Sequence, residues 1–251
     1  MKKILIVGCQ GYLGSQICKL FIRDKYEVDG IDIGYFKNCE ISNTTKINIK
    51  KKLAQNITKN DLIKYNVVIQ LAAFSNDPLD KHKAKDFYKP TVKYTLKIAQ
   101  MCKELNIKFI FPSSCSVYGY SMKKLTEKDK PNPLTFYSKN KVEIEKGLSK
   151  LKSKEFNPII LRLATVFGFS SRIRFDVVIN MICGMSITKN KILLNSNGLA
   201  WRPHIHIDDV YEVFKYFVDL KKYTGDMTYN VGRNDNNCRV IDIANLIKKI
   251  L

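Results

Sequence analysis

The sequence predicts an α/β fold, a doubly wound parallel sheet that carries a small C-terminal lobe. Two observations lead there. Short apolar runs rich in Ile, Val and Phe alternate with longer stretches that repeat apolar residues every three or four positions, which is how a parallel sheet with helices on both faces reads. That rhythm changes after Gly168. The 251 residues, 45% hydrophobic and 26% charged, supply enough apolar mass for one sizeable core or a core with a smaller lobe, and they exclude a disordered or fibrous chain.

The strands expected in order are Ile4–Val7, Glu27–Ile31, Lys46–Ile49, Val67–Leu71, Lys108–Phe111 and Pro158–Leu163. Between them, Tyr12–Asp24 and Thr91–Leu105 carry the helical period. Past Gly168 come a helix-like stretch (Phe175–Met185), a short strand (Lys191–Leu194), a turn at Asn195-Ser196-Asn197-Gly198 and a helix from Asp208 to Leu220. The chain therefore divides into a sheet domain, residues 1–167, and a lobe, residues 168–251, some of whose segments return to the sheet.

With 43 Lys+Arg against 23 Asp+Glu the formal charge is +20, which taken alone suggests a polyanionic partner. The distribution argues otherwise. Only seven of these residues are Arg, and the lysines stand singly or in pairs rather than in the block a binding tail would have, so a solvated lysine surface without a nucleic-acid site is expected. Seven cysteines, an odd number without any Cys-x-x-Cys, indicate neither a disulfide framework nor a zinc site and fit a reducing compartment. Ile4–Val7 is too short for a signal peptide and no run reaches a membrane span, so the expected location is cytoplasmic, with no membrane partner.

The first expected strand runs into Gly8-Cys9-Gln10-Gly11-Tyr12-Leu13-Gly14 at the head of a helix. A helix start presents unpaired N–H groups and a positive dipole end, which suits a pyrophosphate. Gly8 permits the tight turn, Gly11 the close approach of phosphate, and Gly14 the packing of helix on strand. Asp32 follows the second strand, 18 residues past Gly14, where a carboxylate accepts both ribose hydroxyls and repels a 2′-phosphate. These features predict a Rossmann-type domain and favour NAD over NADP as its cofactor.

Tyr137 and Lys141 stand four apart after Pro131-Asn132-Pro133, so on a helix both project from one face. A phenol of pKa about 10 becomes a useful base only when cations favour its phenolate, which an adjacent ammonium and an oxidised nicotinamide both do. Ser114, just past the strand Lys108–Phe111, is placed to hydrogen-bond the same substrate hydroxyl.

Seven stretches in order resemble the extended short-chain dehydrogenases/reductases of the nucleotide-sugar epimerase/dehydratase family: Gly8-x-x-Gly11-x-x-Gly14, Leu71 to Pro78, Ser113 to Gly119, Tyr137-x-x-x-Lys141, Leu161 to Gly168, Trp201 to Asp209, and Tyr229 to Gly232. The resemblance covers essentially the whole chain. It implies a cofactor group of Gly8, Gly11, Tyr12, Leu13, Gly14, Asp32, Ile33, Asn48, Ile49, Leu71, Ala72, Ala73, Ser75 and Leu163, with Tyr137 and Lys141. It implies a catalytic group of Ser114, Tyr137 and Lys141, and a substrate group of Ser114, Thr165, Asn180 and Arg202, the last two on the diphosphate. Arg202 also follows from chemistry, since a planar guanidinium matches a diphosphate and Arg is scarce in this chain. Arg172 and Arg174 are candidate secondary contacts to the nucleotide sugar. His204 and His206 lack a nearby third ligand, and no metal is expected.

The chain departs from the family pattern at four places. Asn48 stands where an Asp usually contacts adenine, Thr91 where an Asn usually props a proton path, and Gln70 where a His usually precedes Leu-Ala-Ala. It stops at Leu251, where relatives typically run several tens of residues further, so either the lobe is reduced or the form is a truncated one. Cys115-Ser116 replaces the Asp-Glu pair of a 4,6-dehydratase, which disfavours dehydration. The expected activity is NAD-dependent epimerisation or oxidoreduction of a nucleotide sugar by hydride transfer, at C4. The alternatives are a 4,6-dehydratase, a C4 dehydrogenase or a non-catalytic NAD-binding regulator. Relatives pair through the Tyr137 helix and the one before it, so a homodimer is expected.

Overall fold

Ile4 and Ile6 point to one face of the first strand and Leu5 and Val7 to the other, and all four are buried. An apolar run without polar alternation belongs to a strand covered on both sides. The computed structural model describes residues 2–39, 47–75, 84–121, 123–221 and 225–251, with the backbone alone for residues 84–87. Lys46 of the expected third strand and Asn76, Asp77 and Pro78 of the Leu71–Pro78 motif lie outside the described residues.

The elements in order are β1 (Lys3–Val7), α1 (Tyr12–Arg23), β2 (Glu27–Asp32), β3 (Asn48–Lys51), α2 (Lys59–Leu62), β4 (Val67–Gln70), α3 (Ala84–Glu104), β5 (Lys108–Ser114), α4 (Phe136–Leu151), β6 (Ile159–Leu163), β7 (Thr165–Phe167), α5 (Val178–Lys189), β8 (Trp201–His206), α6 (Ile207–Asp219), β9 (Thr228–Val231), β10 (Asn237–Arg239) and α7 (Val240–Ile250). The central sheet has the order β3-β2-β1-β4-β5-β6-β9 and is parallel throughout. The chain winds outward from β1 to β3 and then restarts at β4 on the other side, so the strand order reverses between β1 and β4. A crevice opens there at the carboxyl ends of the strands.

Two apolar layers sandwich the sheet. Ile17 and Phe21 of α1 pack with Val210, Tyr211 and Phe214 of α6 on the Ile4–Ile6 face. Val92 and Ile98 of α3 and Ile144 and Leu148 of α4 cover the Leu5–Val7 face. A second sheet, β10-β8-β7, joins α5 and α7 around Ile182, Ile243, Ala244 and Ile247 to build the lobe.

Several expected elements differ. The sheet has a seventh strand, β9, which leaves the lobe region and pairs with β6 from Ile160–Thr228 to Leu163–Val231. Lys191–Leu194 forms no strand; its Ile192 and Leu194 pack on the lobe core instead. The lobe helix begins at Val178, not Phe175, and continues to Lys189. Helix α3 begins at Ala84 rather than Thr91 and runs through Pro90, whose missing N–H removes one helical bond. β3 starts at Asn48 and reaches Lys51, its end pinned by Lys50 and Lys52, which both bond the buried Asp61 of α2 at 2.6 Å. All seven cysteines are free thiols. Among the described residues no helix is long and apolar enough to cross a membrane, and no group of His, Cys, Asp and Glu is arranged to hold a metal ion.

Candidate active site

The glycine turn lies at the point where the strand order reverses. Gly8 has φ +88°, and a Cβ there would stand 2.5 Å from the Ala72 nitrogen, so both its conformation and the packing of the Leu71–Ala72 backbone require glycine. A Cβ on Gly14 would stand 2.1 Å from the Gly8 carbonyl oxygen. Gly11 is different: the nearest atom would be 3.4 Å away, so its side of the turn is open to a ligand. Gly11 heads α1 with no capping side chain, and the first turn holds no acidic residue. The amides of Tyr12, Leu13 and Gly14 thus head a helix ready for an anion.

Leu71 and Ala72 both donate their N–H groups to the Val7 carbonyl at 2.8 Å, which folds the β4 exit against the glycine turn and brings Ala73 along. The Ala72 carbonyl accepts from Gln70 Nε2 and the Tyr94 hydroxyl, each at 3.0 Å. Thr91 is buried beside that hydroxyl, which reaches its Oγ1 at 3.2 Å. At the end of β2, Asp32 accepts from the Gln10 amide (3.0 Å) and the Gly34 amide (2.9 Å), one on each oxygen, and each oxygen keeps a lone pair for a ribose hydroxyl. Ile33 follows it. These features fit the adenosine diphosphate half of NAD.

The register of β3 shifts the neighbours of that carboxylate. Asn48 pairs with Asp29 and Lys51 with Asp32, so Lys51 is level with the crevice, whereas Asn48 lies exposed lower down the strand. Ile49 lines a small cavity with Gln10, Ser15 and Phe36.

Tyr137 and Lys141 follow each other on one face of α4, whose start is fixed by Thr135, its hydroxyl accepting from the Ser138 amide while the Ser138 hydroxyl accepts from the Thr135 amide. Lys141 is 5% exposed. Its Nζ donates to the Pro112 carbonyl at 2.7 Å and lies 4.5 Å from the Phe111 ring centroid and 5.5 Å from that of Tyr137. Burial brings its amine down to about 8, against the pull of the Glu145 carboxylate. The Tyr88 ring of α3 meets Tyr137 edge-on at 6.4 Å. Ser114 ends β5 two residues past Pro112, with its hydroxyl accepting from the Ser116 amide at 3.2 Å. Leu163 pairs with Ser114 across β5 and β6.

Beyond Ser114, Cys115 feels the charge of Arg202 of β8. Burial pushes its thiol up to about 11, and the nearby guanidinium opposes that. Thr165 lies in β7 opposite His204. Arg202 is exposed. Arg172 and Arg174 sit elsewhere, on a segment that straps the lobe to the glycine helix. There the Tyr12 hydroxyl donates to the Gly168 carbonyl (2.9 Å) and the Ser170 hydroxyl to the Tyr12 carbonyl (2.7 Å). Asn180 braces the strap from α5: Oδ1 accepts from the Gly168 amide and Nδ2 donates to the Arg174 carbonyl, both at 3.0 Å. Arg174 pairs with Asp176 and donates to Ser75 Oγ at 3.0 Å. The Arg172 guanidinium stacks 4.1 Å over Phe36, on the Asp32 side of the crevice rather than the Ser114 side.

A buried polar group beneath these residues is absent from the sequence-based expectations. Glu145 and Arg162, each 6% exposed, form an ion pair at 2.7 Å behind Lys141. Two signals in the chain point to it: Glu145 continues the four-residue spacing of Tyr137 and Lys141, and Arg162 interrupts an otherwise apolar strand.

The chain resembles known proteins over nearly all its length. It is 26% identical over 265 residues to the uncharacterized UDP-glucose epimerase YtcB of Bacillus subtilis (strain 168), covering 99% of this chain and 82% of that one. It is 24% identical to an ADP-L-glycero-D-manno-heptose-6-epimerase of Brachyspira hyodysenteriae, covering 98% and 80%. Among solved structures it superposes with a TM-score of 0.87 on TunA, an NAD-dependent NDP-hexosamine 5,6-dehydratase involved in tunicamycin biosynthesis, at 20% identity and covering 99% of this chain and 81% of that one. The UDP-glucuronic acid 4-epimerase of Bacillus cereus, solved with UDP-glucuronic acid and NAD, gives 0.85 at 24% identity, covering 99% and 82%. The model of the NAD dependent epimerase/dehydratase family matches residues 4–232, and the chain belongs to that family.

Proposed function

We propose that this protein is an epimerase that inverts a nucleotide-diphosphate sugar at C4 by oxidation and re-reduction in one cleft. The observation that carries the reading is the buried Lys141 ammonium on the same helix face as Tyr137, anchored to β5 two residues before Ser114. Bound NAD supplies the hydride acceptor and donor. Tyr137 takes the proton of the sugar hydroxyl at its phenolate oxygen, and the ammonium beside it favours that phenolate. Ser114 hydrogen-bonds the same sugar oxygen and keeps it facing Tyr137. As the 4-keto sugar turns over, Tyr137 returns the proton to the same oxygen on the inverted product. Arg202 holds the diphosphate. Asp32 and the α1 amides hold the cofactor's ribose and pyrophosphate, and Leu71, Ala72 and Ala73 line it.

The names of YtcB and the Bacillus cereus protein, a UDP-glucose epimerase and a UDP-glucuronic acid 4-epimerase, support this chemistry. Dehydration has less support, because the residues after Ser114 are Cys115 and Ser116 rather than carboxylates able to move the second proton. The same reading makes the protein cytoplasmic and homodimeric through α3 and α4, and light scattering at one chain mass would remove the dimer. The enzymatic test is incubation with UDP-, GDP- and dTDP-hexoses without added cofactor. Formation of the C4 epimer supports the proposal, and a 4-keto or unsaturated sugar as the released product refutes it.

A further inference from the structure

The Glu145 carboxylate lies under the candidate active site and touches two of the strands that build it. Its Oε1 accepts from the Ser113 hydroxyl, one residue before Ser114 on β5. Its two oxygens accept from Arg162 of β6, with Nε at 3.1 Å from Oε1 and Nη2 at 2.7 Å from Oε2. Arg162 Nη1 then donates to the Tyr118 hydroxyl at 2.7 Å, and that hydroxyl donates to Asn230 Oδ1 of β9 at 2.7 Å. Glu145 stands one turn past Lys141 and two past Tyr137 on the same face of α4.

A buried ion pair of this kind is weak evidence for stability, because desolvation offsets most of its attraction. Its effect here is geometric. The fork of Arg162 and the hydroxyl of Ser113 fix the carboxylate from two strands, so α4 can neither slide along nor rotate over the ends of β5 and β6 without breaking charge-assisted bonds. We infer that Glu145 is a positioning residue for the Tyr137–Lys141 pair, clasping α4 so that the phenol faces Ser114. It touches neither substrate nor cofactor and acts through α4. The inference rests on the epimerase reading for its kinetic consequence but not for its structural one.

The groups around Lys141 are Tyr137 and Glu145 on its own helix, the Pro112 carbonyl and Phe111 ring of β5, Arg162 of β6 behind Glu145, Tyr118 behind Arg162, and Tyr88 of α3 behind Tyr137. Glu145 is the nearby anion that supports the ammonium.

The test uses the full chain with its retained cofactor and two variants. Glu145→Gln keeps the shape and removes the charge. Glu145→Gln/Arg162→Met removes both charges, so that no lone guanidinium is buried. Glu143→Gln, on the exposed side of α4, is the control. The expected result in both is a kcat about 10²-fold lower, the scale of a small misplacement of reacting groups. The sugar KM and the bound cofactor should stay within about twofold, as no contact to either is removed. In Glu145→Gln the Lys141 amine, followed by 15N NMR, should also titrate below its position near 8 in the unaltered protein. A folded double variant with unchanged kcat overturns the inference, as does a folded Glu145→Gln with an unmoved Lys141 titration. The wild-type rate tests the epimerase reading separately, and the Lys141 titration needs no turnover.

Discussion

Lys141 Nζ donates to the Pro112 carbonyl at 2.7 Å, which ties the helix carrying Tyr137 to the strand that ends at Ser114. One ammonium thereby serves as anchor and as electrostatic partner. Its burial opposes its charge, so function and stability pull apart at this residue.

Lys141→Met therefore has two opposite expected effects. Turnover falls by about 10²- to 10⁴-fold, the usual scale for losing acid–base support. Thermal stability at pH 7 stays level or rises, because a desolvated ammonium is replaced by an apolar chain of similar length. The sign of the pH dependence follows. The folded amine sits near 8, below its unfolded value of 10.5, so between those values the unfolded chain binds the extra proton and stability gains from this group as pH rises. Melting curves of both proteins from pH 7 to 10 check it, and a fall in melting temperature of Lys141→Met at pH 7 would count against the burial cost.

The three glycines separate fold from ligand. Gly14→Ala places a Cβ 2.1 Å from the Gly8 carbonyl, and Gly8→Ala adds strain at φ +88°, so each should lose about 1–3 kcal/mol of stability along with the cofactor. Gly11→Ala meets nothing closer than 3.4 Å and should fold normally while binding NAD more weakly. Denaturation curves beside NAD titrations distinguish the two classes. Equal stability losses in all three variants would remove the phosphate role of Gly11.

The two ends of the crevice should respond to different arginines. Arg202→Ala should raise the sugar-nucleotide KM by about 10- to 100-fold, the worth of charged hydrogen bonds, and leave NAD retention unchanged. Arg172→Ala, removed from Phe36 beside the Asp32 end, should loosen NAD and leave the sugar KM alone. The opposite pattern for Arg172 would return it to the substrate group that its place in the chain suggests.

Much of the fold and of the candidate site is legible in the sequence. The apolar runs of β1, β4, β5 and β6 are strong because both faces of each are buried, and the glycine turn follows from the steric need that Gly8 and Gly14 display. The rest depends on pairing that no local pattern encodes. β9 is short and only its last residue is buried, so Thr228–Val231 carries no strand signal of its own before β6 offers it an edge. Lys191–Leu194 has the composition of a strand but joins neither sheet, its Ile192 and Leu194 being taken up by the lobe core. Pro90 reads as a helix start, yet α3 continues on both sides of it, and Asn140 of α4 donates to the Tyr88 carbonyl at 2.7 Å. Asn48 reads as level with the crevice from its place in the chain, and the register with Asp29 sets it lower. The strap between Gly168 and Arg174 is tied to Tyr12 of the glycine helix, on the far side of the sequence, which explains why those hydrogen bonds are out of reach of a linear reading.

The central claim is that one sugar carbon is oxidised and re-reduced without its hydrogen leaving the cleft. A nucleotide sugar carrying deuterium at C4, incubated with the protein and no added cofactor, tests it directly by NMR of the product. The account predicts inversion at C4 with the deuterium still on C4, and abolition of that product by Tyr137→Phe. Loss of the label to solvent, release of a 4-keto sugar, or undiminished turnover in Tyr137→Phe would contradict it.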